Sequence, residues 1–286
     1  MRWAPMLAVI WLVGCAVAQP GLDAMPARSL DECSLRGLEV ARGLDVAIAI
    51  DTSGSTADPS GSDIDGDGTV GKFRGSTMTD RGDSLLAAQV AGIKSVISDS
   101  SLRDLRLSIV SFSGRDRFDD PVSPERFPDA ILRTELTSDS QELEVALDRV
   151  LKGGSRGTAN FAAALRRSLD ALDVGWRRAP AGERRRVVFL LADSSAPVRP
   201  GPTQYFYRTQ ERVPHGPVVH TDPQMAIAAK RAIRSHVVIN TFGLGGAAGA
   251  APPHALSRLA GATGGRYRAV KDPARLHCDL ISALVP

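Results

Sequence analysis

Seven mostly apolar residues, Leu44-Asp45-Val46-Ala47-Ile48-Ala49-Ile50, run without a break into Asp51-Thr52-Ser53-Gly54-Ser55. A run of that length, apolar at odd and even positions alike, has the pattern of a strand buried on both faces. In an open parallel sheet, ligands bind just beyond the carboxyl ends of the strands. Here that end presents a carboxylate at Asp51 and hydroxyls at Ser53 and Ser55. Three hard oxygen ligands at alternate positions suit Mg²⁺, Ca²⁺ or Mn²⁺ and disfavour zinc or copper.

The rest of the chain alternates the two periodicities. Leu86, Val90, Ile93 and Ile97 recur at helical spacing, and 105–112 reads as a strand. A short edge strand is expected at 131–137. Leu143, Leu147, Val150 and Leu151 mark a second helix face, and Phe161, Leu165, Leu169 and Leu172 a third. A strand at 187–192 ends in Asp193. A helix follows at 225–235, and a strand at 237–242 ended by Gly243 and Gly245. The last strand is expected at 267–270 and the last helix at 276–284. Such alternation predicts an α/β fold: a single doubly wound, mostly parallel sheet with helices on both faces. With 286 residues, 43% of them hydrophobic, the chain can bury one large core. A formal charge of +3 gives no argument for nucleic acid. Arg184-Arg185-Arg186 reads as a solvated start to the strand that follows.

On these residues the chain resembles the von Willebrand factor A-like (VWA) domains with a complete metal-ion-dependent adhesion site. The Asp51, Ser53, Ser55 pattern is the family's first element. The second is a Thr on a loop before a helix: here Gly153-Gly154-Ser155-Arg156-Gly157-Thr158-Ala159-Asn160 opens a helix expected over 161–174. The third is an Asp ending a later strand, matched by Asp193. The family more often has Gly after that Asp, where this chain has Ser194. The resemblance spans about 45–270 and implies a Rossmann-like VWA fold. It also implies that Ser53, Ser55 and Thr158 ligate the metal directly, while Asp51 and Asp193 hold it largely through water. Mg²⁺ seeks six oxygens and sheds water reluctantly. With neutral direct ligands it stays electrophilic on its open side, where a partner's Asp or Glu carboxylate replaces a water. The bland alternative is that the three hydroxyls only cap turns and helices.

Residues 1–18 read as a signal peptide, with Arg2 as the positive start and an apolar run too short to span a bilayer. Two exits stay open. Leu12-Val13-Gly14-Cys15 resembles a bacterial lipobox, which would make Cys15 a lipidated N-terminus; Ala16-Val17-Ala18 offers ordinary cleavage before Gln19. The expected product is exported, either as a membrane-anchored lipoprotein or free in the periplasm or medium. Residues 19–40 form a linker and leading segment, and 41–286 the VWA domain, with insertions at 57–82 and 196–221. Setting Cys15 aside leaves Cys33 and Cys278. In an oxidising compartment a disulfide joining them is expected, the alternative being two buried thiols.

Asp63-Ile64-Asp65-Gly66-Asp67-Gly68-Thr69 matches the first half of a calcium loop. Its twelfth position should be a bidentate Glu and is Arg74, so Asp80 or Asp83 would have to complete a Ca²⁺ site at Asp63, Asp65 and Asp67. The loop is expected on the rim of the first site. Arg81-Gly82-Asp83 spells an integrin-recognition tripeptide, but Asp83 reads better as the N-cap of a helix beginning near Ser84. The insertion at 196–221 holds five Pro, the cluster Tyr205-Phe206-Tyr207, and His215 and His220. Loops of that length are usually functional or disordered, and aromatics suit protein contacts.

The expected function is a divalent-metal-dependent protein-binding module, adhesive or scaffolding and non-enzymatic. One alternative is a calcium-binding structural protein using the acidic loop. The other is a metal-assisted hydrolase, for which His220, through the insertion, is the one imidazole expected near the site.

Overall fold

The structure, a computed structural model, describes residues 33, 43–75, 77–99, 102, 104–114, 129–157, 159–178, 184–193, 223–245 and 254–285. Cys15, Thr158, the signal segment, the linker apart from Cys33 and the insertion at 196–221 lie outside them.

The strands are β1 (Leu44–Asp51), β2 (Phe73–Arg74), β3 (Thr77–Met78), β4 (Leu105–Phe112), β5 (Ala130–Thr137), β6 (Arg185–Asp193), β7 (Val237–Leu244) and β8 (Tyr267–Val270). The helices are α1 (Leu85–Ser98), α2 (Ser140–Gly153), α3 (Phe161–Arg178), α4 (Pro223–Arg234), α5 (His254–Ala262) and α6 (Leu276–Ser282). Six strands form one sheet in the order β5-β4-β1-β6-β7-β8. Only β5 runs antiparallel, as the edge strand expected at 131–137. The order steps outward from β1 in one direction, returns, and continues from β6 in the other. The fold is thus doubly wound, with its switch point between β1 and β6.

Alternation along β1 divides the core. Val46, Ile48 and Ile50 face a layer made with α1, α2 and α6, while Ala47 and Ala49 face one made with α3, α4 and α5. Every residue of β1 is buried, as its continuous apolar pattern requires. The exception in composition, Asp45, is fully buried and answered by charge: Arg106 Nη2 lies 2.6 Å from Oδ2 and Arg184 Nε 2.6 Å from Oδ1. Arg184 also pairs with Asp104, and Arg186 with Asp173 and the Ser235 carbonyl. The expectation of a merely solvated basic cluster therefore fails. Two of its three guanidinium groups stitch strand ends together.

Several boundaries differ for local reasons. The strand expected to stop before Gly243 runs through it to Leu244. Gly243 is there because a Cβ would collide with the Tyr267 hydroxyl on β8; Gly245, at φ +95°, ends the strand. Ser84, not Asp83, caps α1, its hydroxyl accepting from Ala87 N at 3.1 Å. Residues Arg81–Asp83 form a single 3₁₀ turn that delays the helix by one residue. Asp83 is instead fully buried, accepting from Ile64 N at 2.5 Å and Gly71 N at 2.6 Å, which also removes the tripeptide from any integrin-like contact. The β2–β3 hairpin and α5 had no counterpart in the sequence reading. Cys33 and Cys278 are joined by a disulfide that ties Cys33 to α6. Among the described residues no helix is long and apolar enough to cross a membrane.

Candidate metal centre

β1 and β6 are neighbours in the sheet, so their carboxyl ends deliver Asp51 and Asp193 to one place, the switch point. Asp51 is fully buried. Its Oδ1 accepts from Ser53 N at 2.8 Å and its Oδ2 from Asp193 N at 3.4 Å. The first bond closes the chain into a tight turn after the strand. That turn sets the Ser53 and Ser55 hydroxyls 3.3 Å apart. Asp51, Ser53, Ser55 and Asp193 are therefore brought together, and Thr158 lies outside the described residues.

Around this set the backbone is pinned on three sides. Gln89, buried in the apolar face of α1, clamps the strand end: its Oε1 accepts from Asp51 N at 3.2 Å and its Nε2 donates to Asp51 O at 3.1 Å. Thr52 donates twice to Phe112 O on β4, from N and from Oγ1, each at 2.8 Å. The Gly-rich loop supplies the third side. Gly54 N donates to Gly157 O at 2.9 Å, and Arg156 N to Thr52 O at 2.8 Å. Thr56 Oγ1 donates to Ser53 O at 2.7 Å. Its one proton is spent there, so at the 2.7 Å contact with Ser155 it is the Ser155 hydroxyl that donates. The loop on which the second element was expected is thus bonded to the Ser53 turn up to Gly157, the residue before Thr158.

Electrostatics define what the pocket of oxygens suits. Burial pushes the Asp51 carboxyl up to about 7; the Ser53 and Asp193 donors pull it down, and the Asp193 charge adds to the rise. Two acids at one buried strand junction repel and are poorly hydrated. A cation between them reverses both effects. Two carboxylates with serine hydroxyls form a hard, oxygen-only donor set, which fits Mg²⁺, Mn²⁺ or Ca²⁺ and not a soft metal. The sequence reading missed Asp58, which follows the serines by three residues. Burial and the Asp193 charge raise its carboxyl, so it borders the same site. It also missed Gln89, although a polar residue within the Leu86, Val90, Ile93 stripe was a visible signal of a buried amide.

The acidic loop gathers as well. One carboxylate oxygen each from Asp63, Asp65 and Asp83, and likewise from Asp65, Asp67 and Asp80, lie within 4.8 Å of one another. Asp63 accepts from Gly66 N and Gly68 N at 2.7 and 3.0 Å, and Asp67 from Thr69 N at 2.7 Å. Gly66 and Gly68 have φ of 78° and 86°, as such a tight loop requires. Burial, then the charges of Asp80, Asp67 and Asp83, push the Asp65 carboxyl up against the pull of the Asp67 N–H. Ile64 is the loop's apolar anchor, packed on Ala87, Ala88 and Ala91 of α1.

No protein-family model and no curated protein matches the chain. Solved structures do. An aerotolerance-related membrane protein from Bacteroides fragilis, crystallised with multiple mutations to serine, is 14% identical with a TM-score of 0.51, covering 85% of this chain and 98% of that one. The VWA domain of SpRpn10 is 12% identical at a TM-score of 0.47, covering 82% and 93%. Proximal thread matrix protein 1 of the mussel byssus is 12% identical at 0.49, covering 86% and 47%. The likeness to the Bacteroides protein is one of fold, and that fold is the doubly wound α/β architecture that the von Willebrand factor A resemblance implies.

Proposed function

We propose that this chain is a divalent-cation-dependent protein-binding module that captures an acidic group on its partner. The observation that carries this reading is the meeting of two buried carboxylates, Asp51 and Asp193, with the Ser53 and Ser55 hydroxyls at the switch point of the sheet. When bound, Mg²⁺ or a similar cation supplies an electrophilic site for a carboxylate from outside. Asp51 and Asp193 balance its charge, and the serine hydroxyls hold it without adding any. Thr158 is assigned the third hydroxyl from the resemblance; Gly54 N bonded to Gly157 O, one residue before it, supports that place. Gln89 and Thr52 keep the strand end rigid, so little order is lost on capture. The role is binding rather than catalysis, as the resemblance implies, and the side-chain amide of Gln89 serves the site by holding the Asp51 backbone.

Calorimetry with Mg²⁺ and affinity capture with and without EDTA test the reading on the wild type and Asp51→Ala. Mg²⁺ heat and partner should both be lost in the variant, with the fold retained. A partner that survives both the substitution and EDTA overturns it.

A second reading is favoured by the convergence of Asp65, Asp67 and Asp80: the acidic loop holds Ca²⁺ in a structural role, with Asp63 and Asp83 shaping it. Ca²⁺ binding lost in Asp65→Ala but kept in Asp51→Ala would favour it. Export, anchored through Cys15 or free, is proposed from the signal-like leader. The Cys33–Cys278 disulfide supports it, and the Bacteroides neighbour is itself described as a membrane protein.

A further inference from the structure

Three arginines stand around the Gly-rich loop. β5 pairs Ile131 with Ser111 and Ala130 with Phe112, and β1 pairs Asp51 with that same Phe112. The start of β5 therefore shares a sheet end with Asp51 and Asp193. Arg133, half-buried on β5, donates from Nε to Ser111 Oγ at 2.8 Å. A Cβ on Gly153 would stand 3.9 Å from its Nη2, so the guanidinium is held at the foot of the loop. Arg149 is exposed on the last turns of α2. Arg156 is exposed on the loop itself, its backbone bonded to Thr52 beside Asp51.

Burial, then the charges of Arg156 and Arg149, pull the Arg133 guanidinium down from its ordinary range. Three like charges gathered at one loop repel each other, and an anion placed among them relieves that repulsion. A guanidinium receives a carboxylate through two parallel N–H bonds. Arg133 is already oriented by Ser111, so it loses little side-chain freedom on binding.

We infer that Arg133, Arg149 and Arg156 form a second anion subsite beside the metal centre, which takes a further carboxylate of the same acidic partner segment. The inference rests on the metal-and-acid reading above and narrows it. The partner class becomes an exposed peptide segment with two acidic side chains, one for the cation and one for the arginines. A segment with a single acid would bind through the cation alone.

The test uses short end-blocked peptides carrying a single Glu, or two Glu at stepped spacings, titrated against the Mg²⁺-loaded protein by fluorescence anisotropy. At the best spacing the two-Glu peptide should bind about tenfold more tightly than the single-Glu peptide. Added salt should erode that advantage. Arg133→Gln should abolish the advantage while leaving single-Glu and Mg²⁺ affinity as in the wild type. Arg156→Gln, at an exposed position, should weaken it in the same sense. Melting midpoints check that both variants are folded. An advantage that persists in both variants overturns the inference. So does its absence in the wild type when the single-Glu peptide binds and is released by EDTA; that outcome leaves the metal reading standing. Mg²⁺-loaded protein that binds neither peptide overturns both.

Discussion

The backbone N–H of Asp193 points at the Asp51 carboxylate, 3.4 Å away, across 142 positions of sequence. Two strands that are neighbours only in the sheet thereby place their terminal acids at one junction. Burial, with the Asp193 charge added to it, makes Asp51 costly to ionise, and the fold holds both acids in place. A buried pair of this kind is a poor device for stability and a good one for a cation.

Asp51→Asn keeps the shape and removes the charge. In EDTA at pH 8 the variant should be at least as stable as the wild type. In Mg²⁺ the wild type should gain melting temperature and the variant should not. Differential scanning calorimetry with and without metal reads both.

The same group sets a pH dependence whose sign is defined. Burial raises the folded, metal-free Asp51 carboxyl to about 7, against an ordinary 3.8. Between those values the folded chain keeps a proton that the unfolded chain has released. Its stabilising contribution is whole below about pH 4 and is lost as pH rises through about 7. Denaturation in EDTA should show wild-type stability falling from pH 4 to 8 by up to about 4 kcal/mol more than Asp51→Asn. Saturating Mg²⁺ should flatten the difference, because ligation needs the ionised acid, and Mg²⁺ uptake near neutrality should release protons.

Asp45 shows the structural use of a buried acid. It sits inside β1 with Arg106 and Arg184, whose side chains are 17% and 5% exposed. Asp45→Ala leaves both guanidinium groups short of their counter-charge and should cost about 3 kcal/mol. Unlike Asp51→Ala, it should lower the urea midpoint whether or not metal is present. A midpoint within a few tenths of the wild type would show the triad to be energetically idle.

The Cys33–Cys278 bond closes a loop of 245 residues. In the chain-entropy account such a closure contributes at most about 4–5 kcal/mol. Reductant, or Cys278→Ser, should lower the melting midpoint by several degrees. Loss of the tie at Cys278 should show as faster amide exchange in α6 in both.

How far the chain announced its own structure depended on how local the signal was. β1, α1 and α3 were legible because their apolar periods are carried by consecutive residues. The edge strand β5 was legible from its length and place. The β2–β3 hairpin was not, because strands of two residues have no period to read. α5 was not, because Leu256 and Leu259 make too short a stripe. Gly243 was read as a stop because a glycine's sequence context does not reveal the neighbouring Tyr267 that requires it.

The candidate site divides in the same way. The sequence alone determined the donor chemistry, since Asp51, Ser53 and Ser55 are spaced by one turn of chain and only oxygen is on offer. It also determined that β1 is buried on both faces, because its apolar residues fall at odd and even positions alike. The tertiary structure decided what no spacing encodes: that Asp193 lands beside Asp51, that Gln89 holds the strand end, that Asp83 turns inward, and that Arg133, Arg149 and Arg156 converge on one loop. Most of those contacts join residues 12 to 142 positions apart. Their proximity is set by strand order and helix packing, quantities that belong to the whole chain and to no window of it.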